Sequence, residues 1–446
     1  MNASRPLPAR RRGACPALSA PMQTGDGLLV RLVPDSAALS PRALAGLAAA
    51  ARACGNGILE VTARGSLQLR GLSEGSMGPL HAAVDALGIT AREGLALSLS
   101  PLSGLDATER MDGRALADAV RAGVAAEGLG GRLGPKVSVV IDGGGRISLD
   151  ALKADVRLAA RSDGAWDMAL AGDARRALPD GIAAHEAAAE RVLAYLRRIA
   201  GQGPLARMAD LIAPRAPGAP MSGPARPVPV PGEAIALSDG TFALPLALPF
   251  GAAESAAMAG LADAAARHGV RDLRPAPPRL LLATGLMPGA LAAFRHAVES
   301  LGFILDAGDP RLAVAACPGA PLCASGLVPA RELAPQVAAA LAPLLDGNVT
   351  VHLSGCAKGC AHPAPAALTL VGVEGAGLES TDGEGGMDSP VALVRHGVAS
   401  SLPEQLIPLS RLPAALARMA RGMRPGERGA DLLSRLDPGA LLEPND

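Results

Sequence analysis

The sequence predicts an α/β (α+β) protein built from two copies of one unit. Three observations carry this. Strand-like and helical segments alternate along the chain. The same order of elements returns after about 213 residues. A proline-rich stretch, PRAPGAPMSGPARPVPVPG from Pro214 to Gly232, has almost no apolar periodicity and reads as an extended linker between the copies.

The elements fall in register. The first copy runs GDGLLVRLVP as a strand, then an Ala/Leu-rich helix, then GILEVTARGSLQLRGL as strand–turn–strand, then a helix to Leu87. The second runs DGTFALPLALP, AESAAMAGLADAAARHG, GVRDLRPAPPRLLLATGL and a helix to Leu301. The pairs Gly71-Leu72 and Gly285-Leu286 fall at matching places. Each copy then continues as an α/β unit. In the first, SLSPLSG precedes a helix and the strand KVSVVIDGGG; in the second, AACPGAPLCASG precedes a helix and VTVHLSGCAKG. The expected organisation is an arm over 1–21, a half-domain over 22–90 and an α/β unit over 91–213. After the linker, 214–232, come a half-domain over 233–303 and an α/β unit over 304–446. Duplicated halves commonly bind a ligand in the crevice between them. PEQLIPLSRLPAALARMARG, from Pro403 to Gly422, reads as an amphipathic cap.

Composition narrows the function. With 446 residues the chain can bury a large core. Net charge is zero and aromatic residues make up 1%, with Trp166 and Tyr195 the only Trp and Tyr. Neither an electrostatic footprint for nucleic acid nor base-stacking platforms are expected. No apolar run is long enough to span a membrane. Six cysteines in so long a chain are too few for a disulfide scaffold. The expected location is the cytoplasm, with reduced thiols.

Four cysteines stand out. Cys317 and Cys323 are spaced C-x5-C, Cys356 and Cys360 C-x3-C, with 32 residues between the pairs. A helix and a strand fit in that interval and can bring four thiolates to one place. Disulfides are disfavoured by compartment. Structural zinc favours tighter knuckles than C-x5-C. A 4Fe–4S cluster is larger, takes four Cys ligands and accepts N–H bonds to its sulfurs. Gly319, Gly326, Gly355 and Gly359 flank the cysteines and would let bare backbone approach.

This cysteine pattern after a duplicated half-domain resembles the sulfite/nitrite reductase superfamily. The resemblance extends from about Met22 to Gly372, and TARGSLQLRG is similar to that family's T-x-R-x-x-x-Q signature through Thr62, Arg64 and Gln68. It implies two ferredoxin-like half-domains, each followed by an α/β unit. It also implies a cluster lying against a tetrapyrrole, with Cys360 facing the macrocycle. Reductases of this kind hold a small oxyanion with two Arg and two Lys. Arg64 and Lys136 match two of the four, Ser138 stands where the second Lys would be, and Arg110 is the only candidate for the second Arg.

A second resemblance is sharper. Arg12-Gly13, Cys15-Pro16, Pro21-Met22 and Gly25-Asp26-Gly27-Leu28-Leu29-Val30-Arg31 closely resemble the precorrin-3B synthase family, of the same superfamily. That implies an oxidoreductase, a monooxygenase of cobalamin biosynthesis. It would take precorrin-3A as substrate and hydroxylate it at C20 with O2, closing a γ-lactone. A mononuclear non-haem iron is implied beside the cluster. Precorrins carry many carboxylates, which arginine recognises in bidentate fashion. Arg10, Arg11, Arg12, Arg31, Arg64 and Arg70 are the candidate contacts, with Gln68 and Lys136. Arg64 and Arg70 are expected on one face of a strand. Specific catalytic residues are not identified by sequence.

No G-x-G-x-x-G turn joins a strand to a helix. NADH, as ultimate donor, is therefore expected to act through a separate reductase. Of seven histidines, His352 and His362 bracket the cluster loop and are the candidates for the mononuclear iron. The competing readings are a sirohaem-dependent sulfite or nitrite reductase, with Cys360 bridging cluster and haem, and a 4Fe–4S electron carrier without enzymatic activity.

Overall fold

The computed structural model describes residues 16–34, 38–91, 94–212, 228–374 and 389–442. Arg10 to Arg12, Cys15 and most of the expected linker lie outside them.

The first half-domain comprises β1 (Met22–Thr24), β2 (Gly27–Leu32), α1 (Pro41–Cys54), β3 (Ile58–Val61), β4 (Leu67–Leu72) and α2 (Glu74–Ala86). Local chemistry sets the helix starts. The Ser40 hydroxyl accepts from the Ala43 N–H with Pro41 at the first helical position, and Ser73 and Ser76 form a reciprocal capping box. An α/β unit follows: β5 (Ala96–Ser98), α3 (Arg114–Ala126), β6 (Ser138–Asp142), β7 (Ala154–Ala160), β8 (Trp166–Gly172), β9 (Leu178–Ala183), α4 (His185–Gly201) and α5 (Met208–Leu211).

The second half-domain has β10 (Ile235–Ala236), β11 (Phe242–Ala247), β12 (Ala252–Glu254), α6 (Ser255–Arg267), β13 (Asp272–Ala276), β14 (Leu280–Leu286) and α7 (Leu291–Glu299). Its α/β unit has β15 (Val314–Ala316), α8 (Ala330–Leu341), β16 (Val351–Ser354), β17 (Ala366–Gly372), β18 (Pro390–Gly397), β19 (Gln405–Pro408), α9 (Leu412–Arg421) and α10 (Gly429–Arg435).

The duplication is plain in the topology. Both α/β sheets follow chain order, β5 to β9 and β15 to β19, and in both the first two pairings are parallel and the last two antiparallel. The half-domains are not separable. β12 pairs with β3 as the fifth strand of the first sheet. In return Leu39 exchanges two backbone hydrogen bonds with Leu273 of β13, at 2.9 and 2.8 Å. Each copy thus lends the segment before its first helix to the other's sheet. One apolar core spans both, Leu44 and Leu47 of α1 sharing it with Met258 and Leu261 of α6. The fold class is the one expected.

Two expectations need correction. The end of the linker is not extended: Gly232 is buried, its N–H bonds the Pro245 carbonyl, and Arg295 donates to its carbonyl. The segment read as a simple cap supplies strand β19 as well as α9, whose Leu412, Ala415, Leu416 and Met419 are buried in the core of the second α/β unit. Among the described residues no helix is long and apolar enough to cross a membrane.

Candidate functional site

The parallel strands β15 and β16 end side by side, Ala316 paired with Leu353. Cys317 follows the first directly and Cys356 follows the second after Gly355. The N–H of Gly355 donates to the Cys317 sulfur at 3.1 Å. Three of the cysteines are half-buried and Cys360 is exposed; none is in a disulfide. Desolvation pushes the Cys360 thiol up, and Cys317, Cys356 and Cys323 raise it further. Cys317 is raised chiefly by burial, opposed by bonds from the Gly355 and Gly319 backbone, and again Cys356 and Cys323 add to the rise. Cys317 and Cys360 thus both lie within electrostatic reach of Cys323 and Cys356.

Among the described residues, no three His, Cys, Asp or Glu side chains close on one point as ligands of a single ion do.

The glycines do more than give the Cys317 sulfur its N–H bonds from Gly355 and Gly319. A Cβ on Gly355 would lie 2.8 Å from the Cα of Gly319, and one on Gly326 2.4 Å from the Ala320 nitrogen. These glycines let the two cysteine loops pack backbone against backbone.

A brace holds the first loop from the other half of the molecule. The β1–β2 turn, Gly25-Asp26-Gly27, sits directly on it: a Cβ on Gly25 would meet the Ala324 nitrogen at 2.4 Å. Arg70 on β4 pairs with Asp26 at 3.0 Å, both side chains less than a tenth exposed, and donates to the Leu322 carbonyl at 2.6 Å. Arg70 is thus a strut of the cysteine loop, and the expectation of Arg70 as a substrate contact is corrected: its guanidinium is already committed.

Arg31, Gln68 and Glu60 form one row across β2, β4 and β3. Arg31 Nε donates to Gln68 Oε1 at 2.9 Å, Gln68 Nε2 donates to Glu60, and Glu60 pairs with Arg331 of α8 at 2.6 Å. The row links the first half-domain to the helix between the cysteine pairs. Arg64 lies elsewhere. It belongs to the turn before β4, not to the strand, so it shares no face with Arg70; it donates to the Lys153 carbonyl at 2.9 Å. Lys136 is half-buried in the turn preceding β6, not on the strand.

His352 lies on β16, fully buried, with neither ring nitrogen hydrogen-bonded. His362 meets it edge to face, ring centroids 5.8 Å apart. Burial, then His362 and Arg279, depress His352 to about 4. Burial and Arg279 also lower His362, against a backbone bond at Pro365. Both rings are neutral at pH 7, the form that binds metal.

Sequence reasoning missed Asp26, Glu60, Arg331 and Arg279. Arg279 follows Gly65 by 214 residues, as Gly285 follows Gly71. Aligning the two hairpin turns residue by residue would have exposed it.

Residues 20–87 match the nitrite/sulfite reductase ferredoxin-like half domain. The structure is similar to that of the NirA protein of Mycobacterium tuberculosis, with a TM-score of 0.68 and 19% identity over 93% of this chain and 84% of that one. A sulfite reductase [NADPH] hemoprotein beta-component from Xanthomonas euvesicatoria is 33% identical over 30% of this chain and 26% of its own length. A precorrin-3B synthase from Sinorhizobium is 38% identical over 96% of this chain and 93% of its own. With likeness of that extent, and the cysteine loops held as described, the chain belongs to the precorrin-3B synthase family.

Proposed function

We propose that this enzyme is a precorrin-3B synthase, a monooxygenase that hydroxylates precorrin-3A at C20 with O2 and closes the γ-lactone. The near full-length likeness to a precorrin-3B synthase carries this reading. Likeness to sulfite reductase hemoproteins covers less than a third of the chain. Ser138, buried on β6, stands where a sirohaem reductase would place its second lysine.

Cys317, Cys323, Cys356 and Cys360 would hold a 4Fe–4S cluster, which supplies single electrons when bound. The chain's own groups orient and shield. Arg31 presents its guanidinium from β2, with Gln68 fixing its direction. Together with Arg64 and Lys136 it would bind the acetate and propionate groups of the substrate. Asp26 and Arg70 brace the cysteine loop through the Leu322 carbonyl. His352 and His362 would hold a second, mononuclear iron; their neutral rings suit it. Overall, precorrin-3A, one O2, two electrons and two protons give precorrin-3B and water. The electrons would come from NADH through a separate reductase, in the cytoplasm.

The test is turnover. Reconstituted protein, supplied with precorrin-3A, a chemical reductant and isotopically labelled O2, should yield a product carrying one labelled oxygen. Unlabelled product, or sulfite reduction in its place, would overturn the assignment.

A further inference from the structure

Glu60 is a buried carboxylate on β3, between the core residues Leu59 and Val61. Its two oxygens serve the two copies of the unit. Oε2 accepts from Gln68 Nε2 of the first copy, and Oε1 lies 2.6 Å from Arg331 Nη1 of the second. A buried carboxylate is costly unless it is paired, and Arg331 supplies the charge. Among the described residues neither Glu60 Oε1 nor Arg331 Nε and Nη1 makes a hydrogen bond, so charge and not a directional bond joins the pair. Arg331 is the second residue of α8, and its N–H reaches the carbonyl of Pro318, next to Cys317, at 3.4 Å.

The row from Arg31 to Glu60 has a polarity. A guanidinium only donates, an ionised carboxylate only accepts, and an amide does one at each end. Arg31 Nε donates to Gln68 Oε1, and the Gln68 nitrogen donates to Glu60. An amide can turn over with almost no change of shape. Glu60 removes that freedom, because a reversed Gln68 would set oxygen against carboxylate and nitrogen against guanidinium. The bond from Arg31 leaves through Nε, so the two Nη groups are the part that would meet a carboxylate.

We propose that Glu60 is a positioning residue for the substrate: held by Arg331 of the second copy, it sets the amide of Gln68 and, through it, the direction in which Arg31 presents its guanidinium to a carboxylate of the tetrapyrrole. This rests on the reading of Arg31 as a substrate contact. The grip of the first copy on the substrate is thereby tied to the helix that follows the first cysteine loop.

The experiment is equilibrium binding of precorrin-3A, without oxygen, to full-length reconstituted protein, read by the absorption change of the tetrapyrrole. Two double variants are compared, Glu60→Gln with Arg331→Met and Glu60→Leu with Arg331→Met. Both remove the ion pair as a whole, so no buried charge is stranded and folding is not the obstacle. The first keeps an acceptor for Gln68; the second does not. The first should bind as the wild type does and the second about tenfold more weakly. With Arg31→Met added to each, the difference between them should vanish, because Glu60 acts through Arg31. Double variants that bind alike while Arg31 is present would overturn the proposal, as would a difference that persists without Arg31. An Arg31→Met variant that binds as the wild type does would instead overturn the reading of Arg31, and a wild type that does not bind precorrin-3A would overturn the assigned substrate.

Discussion

Residues in this protein are held mostly by partners far away in sequence. Asp26 and Arg70 are 44 positions apart, and the carbonyl they brace lies 252 positions beyond Arg70. Removing one member of a buried ion pair strands the other, at a cost of about 3–5 kcal/mol. Asp26→Ala should lower stability by that order in urea unfolding, and it should loosen the loop that carries Cys323. Unchanged iron retention in that variant would show that the brace does not serve the cluster. His352 gives the opposite expectation. Its ring nitrogens are buried without partners, so His352→Leu in metal-free protein should unfold at equal or higher denaturant, by about 1 kcal/mol. If the ring holds a second iron, the same variant loses the iron in excess of the cluster's four. A strongly destabilised metal-free variant would mean that the ring has a structural role instead.

At the scale of elements, matched glycines mark the duplication. Gly71 and Gly285 both have left-handed φ, and a Cβ on either would meet its neighbour at 2.6 Å, Asn56 in one copy and Arg271 in the other. Alanine at either place should cost about 2 kcal/mol or more, from the backbone conformation and the clash together. Gly88 also has positive φ but faces open space, so Gly88→Ala should cost only about 1 kcal/mol. Chemical denaturation of the three variants checks that order. These glycines were legible in sequence because a left-handed turn admits few other residues. The loop glycines Gly319, Gly326 and Gly355 were also visible, and so was the approach of Gly355 to sulfur, but not the close packing of backbone on backbone. Sequence shows a small residue without showing whether sulfur or another backbone occupies the space. Arg64 and Lys136 were misplaced for a related reason. Strand alternation cannot be extended past a strand end that sequence does not fix.

Over the whole molecule, sequence disclosed the repeat, the four cysteines and the order of strands, because all three are patterns of spacing. It did not disclose the exchange by which β12 joins the first sheet and Leu39 joins the second. That exchange is a three-residue pairing with no side-chain signature. Nor did it disclose the row from Arg31 to Arg331, which crosses three strands and a domain boundary. The first α/β unit shows what the same scaffold does without thiolates. Where the second copy carries Cys356 and Cys360, the first has the Asp142–Gly145 turn. Asp142 accepts from the N–H groups of Gly144 and Leu149, and Asp106 accepts from those of Thr108 and Arg146. Backbone donors in that copy are satisfied by carboxylates.

The most direct test of the account is the visible spectrum of protein purified without oxygen, with iron and labile sulfide counted on the same sample. The account predicts a broad iron–sulfur shoulder, no macrocycle bands, about four sulfides and at least four irons for each chain. Sharp Soret-type bands that survive gel filtration would contradict it, since a tetrapyrrole held that way is a prosthetic group and not a substrate.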